Sequence, residues 1–216
     1  MATNGTFGKL IMLNGTSSAG KTSIVKCLQT RFEKPFLNAG IDQFLNMLPA
    51  QYFQQPLWNQ IMGKSSQAGD LGHQLMSGMH HSIRALLQQG NDVLVDHVLI
   101  EKSWVEECAH LFADLPAYLI GVHCPVEILA QREKDRGNRT LGSSKLQLDV
   151  VHRWTRYDLE LDSSQCAPEE SAEKILTFLR SSPAPRAFSL IRDRTGATGT
   201  SEISSDRGPF LEAQRL

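Results

Sequence analysis

Apolar residues along the chain fall into two patterns: short continuous runs, and longer segments in which they recur every three or four positions. Short continuous runs are typical of strands buried on both faces of a parallel sheet, and the longer spacing is typical of helices. The predicted strands are residues 9–14, 35–39, 92–96, 117–123 and 158–162. The predicted helices are residues 21–32, 42–48, 72–89, 102–112, 126–136, 150–157 and 168–180.

This alternation of strands and helices determines the expected fold class. Strands separated by helical segments of about ten or more residues need crossover connections, which place the strands parallel in one sheet. We therefore predict an α/β protein with a mainly parallel central sheet. Residues 50–72 interrupt the alternation as an irregular insert rich in Gln, Gly and Ser. Its aromatic residues Tyr52, Phe53 and Trp58 either line an acceptor pocket or pack the insert itself.

The periodic pattern ends near residue 180. Residues 181–216 contain three of the nine prolines, several Gly, Ser and Thr residues, and little apolar periodicity. Segments of this composition bury too little apolar surface to order themselves. We therefore predict one domain over residues 1–180 and a flexible tail over residues 181–216.

Composition and charge narrow the classes of partner. With 41% hydrophobic residues the chain can bury a core, and its 22 basic and 23 acidic residues lack the basic excess of a nucleic-acid-binding protein. No run approaches the roughly 20 apolar residues that span a bilayer, and the N-terminus does not resemble a signal peptide. The four cysteines form no CxxC pair. We therefore predict a cytoplasmic protein without a nucleic-acid or membrane partner.

A phosphate-binding motif directly follows the first predicted strand. Residues 15–22, GTSSAGKT, match GxxxxGK[ST], in which glycines let the backbone amides turn toward phosphate oxygens and the next helix adds its positive end. Lys21 would reach the β- and γ-phosphates, and the Thr22 hydroxyl would bind Mg²⁺. A Gly/Ser-rich surface turn is the alternative, but the strand before and the helix after favour a three-layer P-loop NTPase or kinase fold. The predicted phosphate-binding residues are Gly15, Thr16, Ser17, Ser18, Ala19, Gly20, Lys21, Thr22 and Ser23.

Two aspartates follow predicted strands. Asp96 ends the run at 92–96, where it could hold Mg²⁺ or cap the next helix. Asp42 follows the strand at 35–39, so the same sheet edge should carry it and the phosphate loop. It could accept the proton of an attacking hydroxyl or serve as a helix N-cap, and spacing alone does not choose between these roles. His97 could approach a substrate from this edge, whereas packing or surface roles are predicted for His80 and His81.

Three arginines form the predicted cationic cluster. Arg132 and Arg136 stand four residues apart on one helical face, and Arg139 lies in the following basic loop at 137–144. Guanidinium groups over the phosphates would offset negative charge on the transferred group, and such a segment often acts as a lid. Glu133 and Asp135 lie between them, so surface ion pairing is the alternative for any single arginine.

In these motifs the chain resembles the chloramphenicol phosphotransferase-like family of P-loop kinases. The resembling stretches run from Leu13 to Ser164 and are LNGTSSAGKTSIVKCLQ, GIDQFLNMLP, VLVDHVL, GVHCPVEILAQREKDRGNR and VVHRWTRYDLELDSS. The resemblance implies that Asp42 is the catalytic base, that ATP is the donor and Mg²⁺ the cofactor, and that Arg132, Arg136 and Arg139 belong to an arginine-bearing lid. The chain departs from the family pattern at His97, where a second acidic residue is expected, and over residues 49–73.

The sequence therefore predicts an ATP-dependent O-phosphotransferase that moves the γ-phosphate to a hydroxyl of a small molecule, a chloramphenicol-like antibiotic or a related compound. Asp42, Lys21 and Arg136 are the predicted catalytic residues, and Thr22 and Asp96 the predicted metal ligands. One alternative is a nucleotide, sugar or other metabolite kinase of the same fold. A non-catalytic ATP-binding module is the other, although binding alone requires neither Asp42 nor the arginines. The oligomeric state is left open.

Overall fold

The computed structural model describes residues 6–61, 67–136, 142–181 and 184–198. Its five-stranded sheet has the order β2-β3-β1-β4-β5, and every neighbouring pair is parallel. The strands are β1 (Leu10–Asn14), β2 (Phe36–Asn38), β3 (Asp92–His97), β4 (Ala117–His123) and β5 (Leu159–Asp162). The helices are α1 (Lys21–Gln29), α2 (Ile41–Leu45), α3 (Trp58–Ile61), α4 (Asp70–Gln88), α5 (Lys102–Phe112), α6 (Val126–Arg136), α7 (Ser143–Val151), α8 (Pro168–Ser181) and α9 (Ala187–Thr198).

The sheet is the middle of three layers, which confirms the predicted fold class. All five residues of β1 are buried, and successive side chains point to opposite faces. Leu10 and Met12 pack with buried residues of α4, α5 and α9, whereas Ile11 and Leu13 pack with buried residues of α1 and α8. A strand covered on both faces needs an unbroken apolar run, which is the pattern that the sequence shows.

The strand order places three loops side by side at the carboxyl edge of the sheet. Leu13 at the end of β1 is paired with Asp96 in β3, and β3 is paired on its other side with β2. The loops after β1, β3 and β2 are therefore neighbours, because the carboxyl ends of parallel strands meet at one edge. The GTSSAGKT motif begins after β1, Asp96 is the penultimate residue of β3 and Asp42 is the second residue of α2, so the topology brings these residues to the same edge.

Helix α9 corrects the prediction of a flexible segment from residue 181. Ala187, Phe188 and Ile191 are buried in the core beside α5, and the Phe188 ring lies 5.5 Å from the ring of Phe112. The Asp158 carboxylate accepts hydrogen bonds from the backbone amides of residues 186 and 187, at 2.7 and 3.0 Å, and so caps the helix. The prediction is wrong for residues 187–198, because tertiary packing orders a helix whose own apolar pattern is weak. Residues 182–183 and 199–216 lie outside the described residues.

Two further differences from the predicted elements concern the insert at residues 50–72 and the helix before β5. The insert at 50–72 contains a short 3₁₀ helix (Ala50–Phe53) and α3, and α4 begins at Asp70 rather than at residue 72. The prediction of a helix over residues 150–157 is wrong, because α7 occupies Ser143–Val151 and the chain turns after it. The Thr155 hydroxyl donates to the carbonyl oxygen of His152 at 3.0 Å and closes that turn. None of the described helices is long and apolar enough to cross a membrane.

Candidate active site

The GTSSAGKT loop curls around the ammonium group of its own lysine. Lys21 Nζ donates to the carbonyl oxygens of Gly15 and Thr16, at 2.8 and 2.6 Å. Gly20 has a φ of 87°, which side chains disfavour, and it precedes the first residue of α1. A Cβ atom on Gly15 would lie 2.3 Å from the carbonyl oxygen of Val122, so the loop passes against β4 where only glycine fits. The loop is therefore already shaped around the positive charge that would face a phosphate.

Two serine hydroxyls in this loop are suited to an anionic ligand. Ser17 Oγ and Ser18 Oγ are buried and have no hydrogen-bond partner among the described residues. Buried hydroxyl groups without a partner are costly, and phosphate oxygens are acceptors that would satisfy them. With the inward-curled loop and the positive end of α1, they fit the phosphate groups of a nucleotide.

The two predicted metal ligands are in direct contact. The Thr22 hydroxyl donates to Asp96 Oδ2 at 2.6 Å, and Asp96 is buried. A hydroxyl and a carboxylate oxygen are hard ligands of the kind that Mg²⁺ prefers, so the pair fits the ion. The described residues contain no cluster of three or more His, Cys, Asp or Glu side chains that could hold a metal on its own. Asp96 does not cap the next helix, since Glu101 is the N-cap of α5.

Asp42 lines the same cleft as the phosphate loop. The cleft has a volume of about 330 Å³. Its walls include Ser17, Ser18, Gly20, Lys21, Thr22, Ser23, Ile41, Asp42, Asp96, Val98, Arg132 and Ser163. Asp42 is not the N-cap of α2, because that position is Gly40. The structure therefore brings a carboxylate, a lysine ammonium and two candidate metal ligands to one opening.

Gly40 sets the distance between Asp96 and the start of α2. A Cβ atom there would lie 1.7 Å from Asp96 Oδ1, a distance that real Cβ contacts do not allow. The Asp96 carboxylate therefore packs directly on the backbone two residues before Asp42. Only a residue without a side chain permits this approach.

Of the three arginines, Arg132 has a defined place at the phosphate loop. Its Nη2 donates to the Ser163 carbonyl oxygen at 2.9 Å, and its Nη1 lies 3.3 Å from Ser163 Oγ and 3.5 Å from the Ser18 carbonyl oxygen. These contacts hold the guanidinium beside the cleft rather than in a surface ion pair. Arg136 is the last residue of α6, one turn further, and its side chain lies outside the description. Arg139 lies outside the described residues altogether.

Three polar residues for which the sequence predicted no role in the site support it. The amide of Gln147 in α7 accepts a hydrogen bond from the Ser17 backbone N–H at 2.8 Å. Glu133, which is 1% exposed, accepts hydrogen bonds from the backbone amides of Gly142 and Ser144 at the start of α7. Asn14 donates to the Val151 carbonyl oxygen at the end of α7. The partners of Gln147 and Asn14 are more than 100 residues away in the sequence, so no local pattern could have identified these two contacts.

His97 does not face the cleft, which corrects the expectation that it could approach a substrate. It is fully buried, its Nδ1 accepts a hydrogen bond from the Val98 amide, and its Nε2 lies 2.9 Å from His80 Nε2. His80 in turn pairs with Glu107 through its other ring nitrogen. Burial and the neighbouring His80 hold the pKa of His97 well below its usual value. The packing role predicted for His80 therefore extends to His97.

A partly buried histidine, His152, should make stability depend on pH. Burial, with His123 and Lys21 nearby, lowers the pKa of His152 to about 4. Between this value and the ordinary 6.5 the unfolded chain binds a proton at His152 that the folded chain does not. The free energy of unfolding is therefore highest above pH 6.5 and decreases as the pH falls toward 4. We expect His152→Gln to remove about 1 kcal/mol of the decrease in unfolding free energy between pH 7 and pH 5, after allowing for partial solvent exposure.

Urea unfolding at the two pH values would measure this effect. The matched control is His81→Gln, since His81 has a side chain that is 63% exposed. An unchanged pH dependence in His152→Gln would show that another group titrates.

The fold and the cleft together define a class. A phosphate loop after the central strand of a parallel sheet, with a carboxylate and a cation around one opening, is the arrangement of a P-loop kinase. Solved structures with the same fold include a sugar kinase from Janibacter sp. HTCC2649 (18% identity, TM-score 0.61, 83% of this chain and 99% of that one). They also include the APS kinase CysC of Mycobacterium tuberculosis in complex with AMPPNP and APS (16% identity, TM-score 0.57, 82% and 99%).

The comparison of sequences narrows the class to a family. The model of the chloramphenicol phosphotransferase-like proteins matches residues 8–180. A Mycobacterium tuberculosis protein named as an O-phosphotransferase is 30% identical over 200 residues, which cover 87% of this chain and 89% of that protein. The chain therefore belongs to the chloramphenicol phosphotransferase-like family and is a kinase-type phosphotransferase.

Proposed function

We propose that this enzyme transfers the γ-phosphate of ATP to a hydroxyl group of a small molecule, either a chloramphenicol-like antibiotic or a related compound. The observation that carries the proposal is that Asp42 and the phosphate loop line one cleft. Phosphate binding alone does not require a carboxylate there. Transfer to an alcohol does require a group that accepts the hydroxyl proton beside the terminal phosphate.

Several residues that line the cleft have a role in this proposal. The loop amides and Lys21 bind the β- and γ-phosphates, and the Ser17 and Ser18 hydroxyls donate to phosphate oxygens. Thr22 and Asp96 would hold Mg²⁺, which supplies positive charge to the phosphates when it is bound. The Arg132 guanidinium is proposed to offset charge on the transferred group, and Arg136 and Arg139 are proposed to assist it.

The proton and the phosphoryl group move in opposite directions. Asp42 accepts the proton of the acceptor hydroxyl while the hydroxyl oxygen bonds to the γ-phosphorus. The bond from that phosphorus to the bridging oxygen breaks, and ADP leaves with the electron pair.

A panel of acceptors tests this function. Release of ADP is measured with chloramphenicol, other hydroxylated antibiotics, sugars and nucleosides, each with and without Mg²⁺, and the phosphorylated product is identified by mass spectrometry. Phosphorylation of an antibiotic alcohol supports the proposal. Turnover restricted to sugars or nucleosides would favour the metabolite kinase. ATP binding without acceptor-stimulated turnover would favour a non-catalytic module.

A further inference from the structure

Helix α7 contacts the phosphate loop through one buried side chain. Gln147 is 5% exposed, and its Oε1 accepts a hydrogen bond of 2.8 Å from the Ser17 backbone N–H. Ser17 is the third residue of the loop. A backbone amide that could otherwise point at a phosphate is therefore held by a glutamine that is 130 residues away in the sequence.

Both ends of α7 are anchored, so Gln147 is presented from a fixed support. At the first turn, Glu133 of α6 accepts hydrogen bonds from the Gly142 and Ser144 amides at 2.9 and 2.8 Å. At the last turn, Asn14 Nδ2 donates to the Val151 carbonyl oxygen at 2.8 Å. Glu133 and Asn14 are both buried. Charged and amide groups buried with their partners satisfied restrict the helix to one position.

Gln147 holds the part of the loop next to the residues that Lys21 contacts, and this part is expected to face the terminal phosphate. Lys21 Nζ lies on the carbonyl oxygens of Gly15 and Thr16, directly before Ser17, and this lysine reaches the β- and γ-phosphates in P-loop sites. Amides at the start of α1, on the other side of the loop, bind the inner phosphates. Loss of the Gln147 contact should therefore affect the terminal phosphate more than the inner ones.

We propose that Gln147 is a positioning residue, which fixes residues 15–17 of the phosphate loop before nucleotide binds so that the loop receives the terminal phosphate without rearranging. The proposal rests on the proposed function only in taking that phosphate to be the γ-phosphate of ATP. A loop that is already held in its binding conformation loses less conformational entropy when nucleotide binds, and its affinity for nucleotide is therefore higher.

The test replaces Gln147 with Met, which has a similar size and no accepting oxygen. We expect affinity for a non-hydrolysable ATP analogue to fall about tenfold and affinity for ADP to change less than about twofold, since reordering the backbone of about one loop residue on binding costs roughly one decade in affinity. Titration calorimetry with each nucleotide measures both values without an acceptor. A result is therefore obtained even if none of the alcohols tested is a substrate.

Two further variants separate positioning from stability. Tyr157→Phe removes the hydroxyl that accepts from Asn14 Nδ2 at 2.7 Å and leaves the Ser17 contact in place. It should lower the melting temperature without changing the ratio of the two affinities. Gln147→Glu keeps an accepting oxygen and should keep the Ser17 amide protected from hydrogen exchange, whereas Gln147→Met should expose it. Equal losses of affinity for both nucleotides, or an equally protected Ser17 amide in Gln147→Met, would overturn the proposal.

Discussion

Replacing Asp42 with Asn is expected to lower kcat for phosphoryl transfer by about a hundredfold to ten-thousandfold while ATP affinity changes little. The amide has almost the same shape as the carboxylate but cannot take up the proton of the acceptor hydroxyl. Asp42 lines the cleft without being the N-cap of α2, so the substitution removes no capping side chain. Steady-state kinetics with a saturating acceptor, together with calorimetric titration of ATP, measure the two effects separately.

The matched control for this substitution is Asp70→Asn. Asp70 is also in the first turn of its helix, but it is exposed and does not line the cleft. Its replacement should leave kcat within about twofold, because surface substitutions away from special features have small effects. Wild-type turnover in Asp42→Asn would show that the proton leaves by another route.

Adding one methyl group at Gly40 is expected to lower kcat about a hundredfold and to raise the Mg²⁺ concentration needed for activity. The new Cβ would lie 1.7 Å from Asp96 Oδ1, far inside van der Waals contact. Asp96 is buried and accepts the Thr22 hydrogen bond, so its short side chain cannot swing aside without breaking that contact. Either Asp96 leaves Thr22 or the backbone before Asp42 retreats, and a displacement of about 1 Å can cost two decades in rate.

Gly78→Ala provides the control for the added methyl group. A Cβ atom on Gly78 would have nothing within 4 Å, and the residue lies inside α4. That variant should keep wild-type kinetics and should gain up to about 1 kcal/mol in unfolding free energy, because alanine is the better helix former. Measuring kcat against Mg²⁺ concentration, with thermal unfolding of both variants, distinguishes a damaged site from a damaged fold. Unchanged kinetics in Gly40→Ala would mean that Asp96 can relax without cost.

The phosphate loop could be identified from the sequence because its chemistry is contiguous. Residues 15–22 make their own cradle, and the strand before them and the helix after them are visible as apolar patterns. The pairing of Thr22 with Asp96 could be anticipated as well, because a carboxylate at the end of a buried strand has few other roles beside such a loop. The assignment of roles to Asp42 and to the arginines remains a prediction that the variants above would test.

Other features had no local signal. Gln147 meets Ser17 only because α7 packs across the loop, and nothing around residue 147 marks that residue as different from an ordinary helical glutamine. Its position after Asp96 indicates that His97 could approach a substrate, but neighbouring residues of a strand point to opposite faces, and its ring pairs with His80 instead. Helix α9 was missed because Phe188 and Ile191 form too short an apolar stripe to predict a helix without the surface that covers them.

The sequence by itself determined the class of sheet, the phosphate loop and the two aspartates that follow strands, since each depends on residues close together in the chain. Only the tertiary structure decided which of these residues share a cleft, that Gly40 lets Asp96 pack against the Asp42 loop, and that Gln147 holds the phosphate loop. The physical reason is that strand order and helix packing are set by burial summed over the whole core, whereas motifs and periodicity report only on neighbours in the chain.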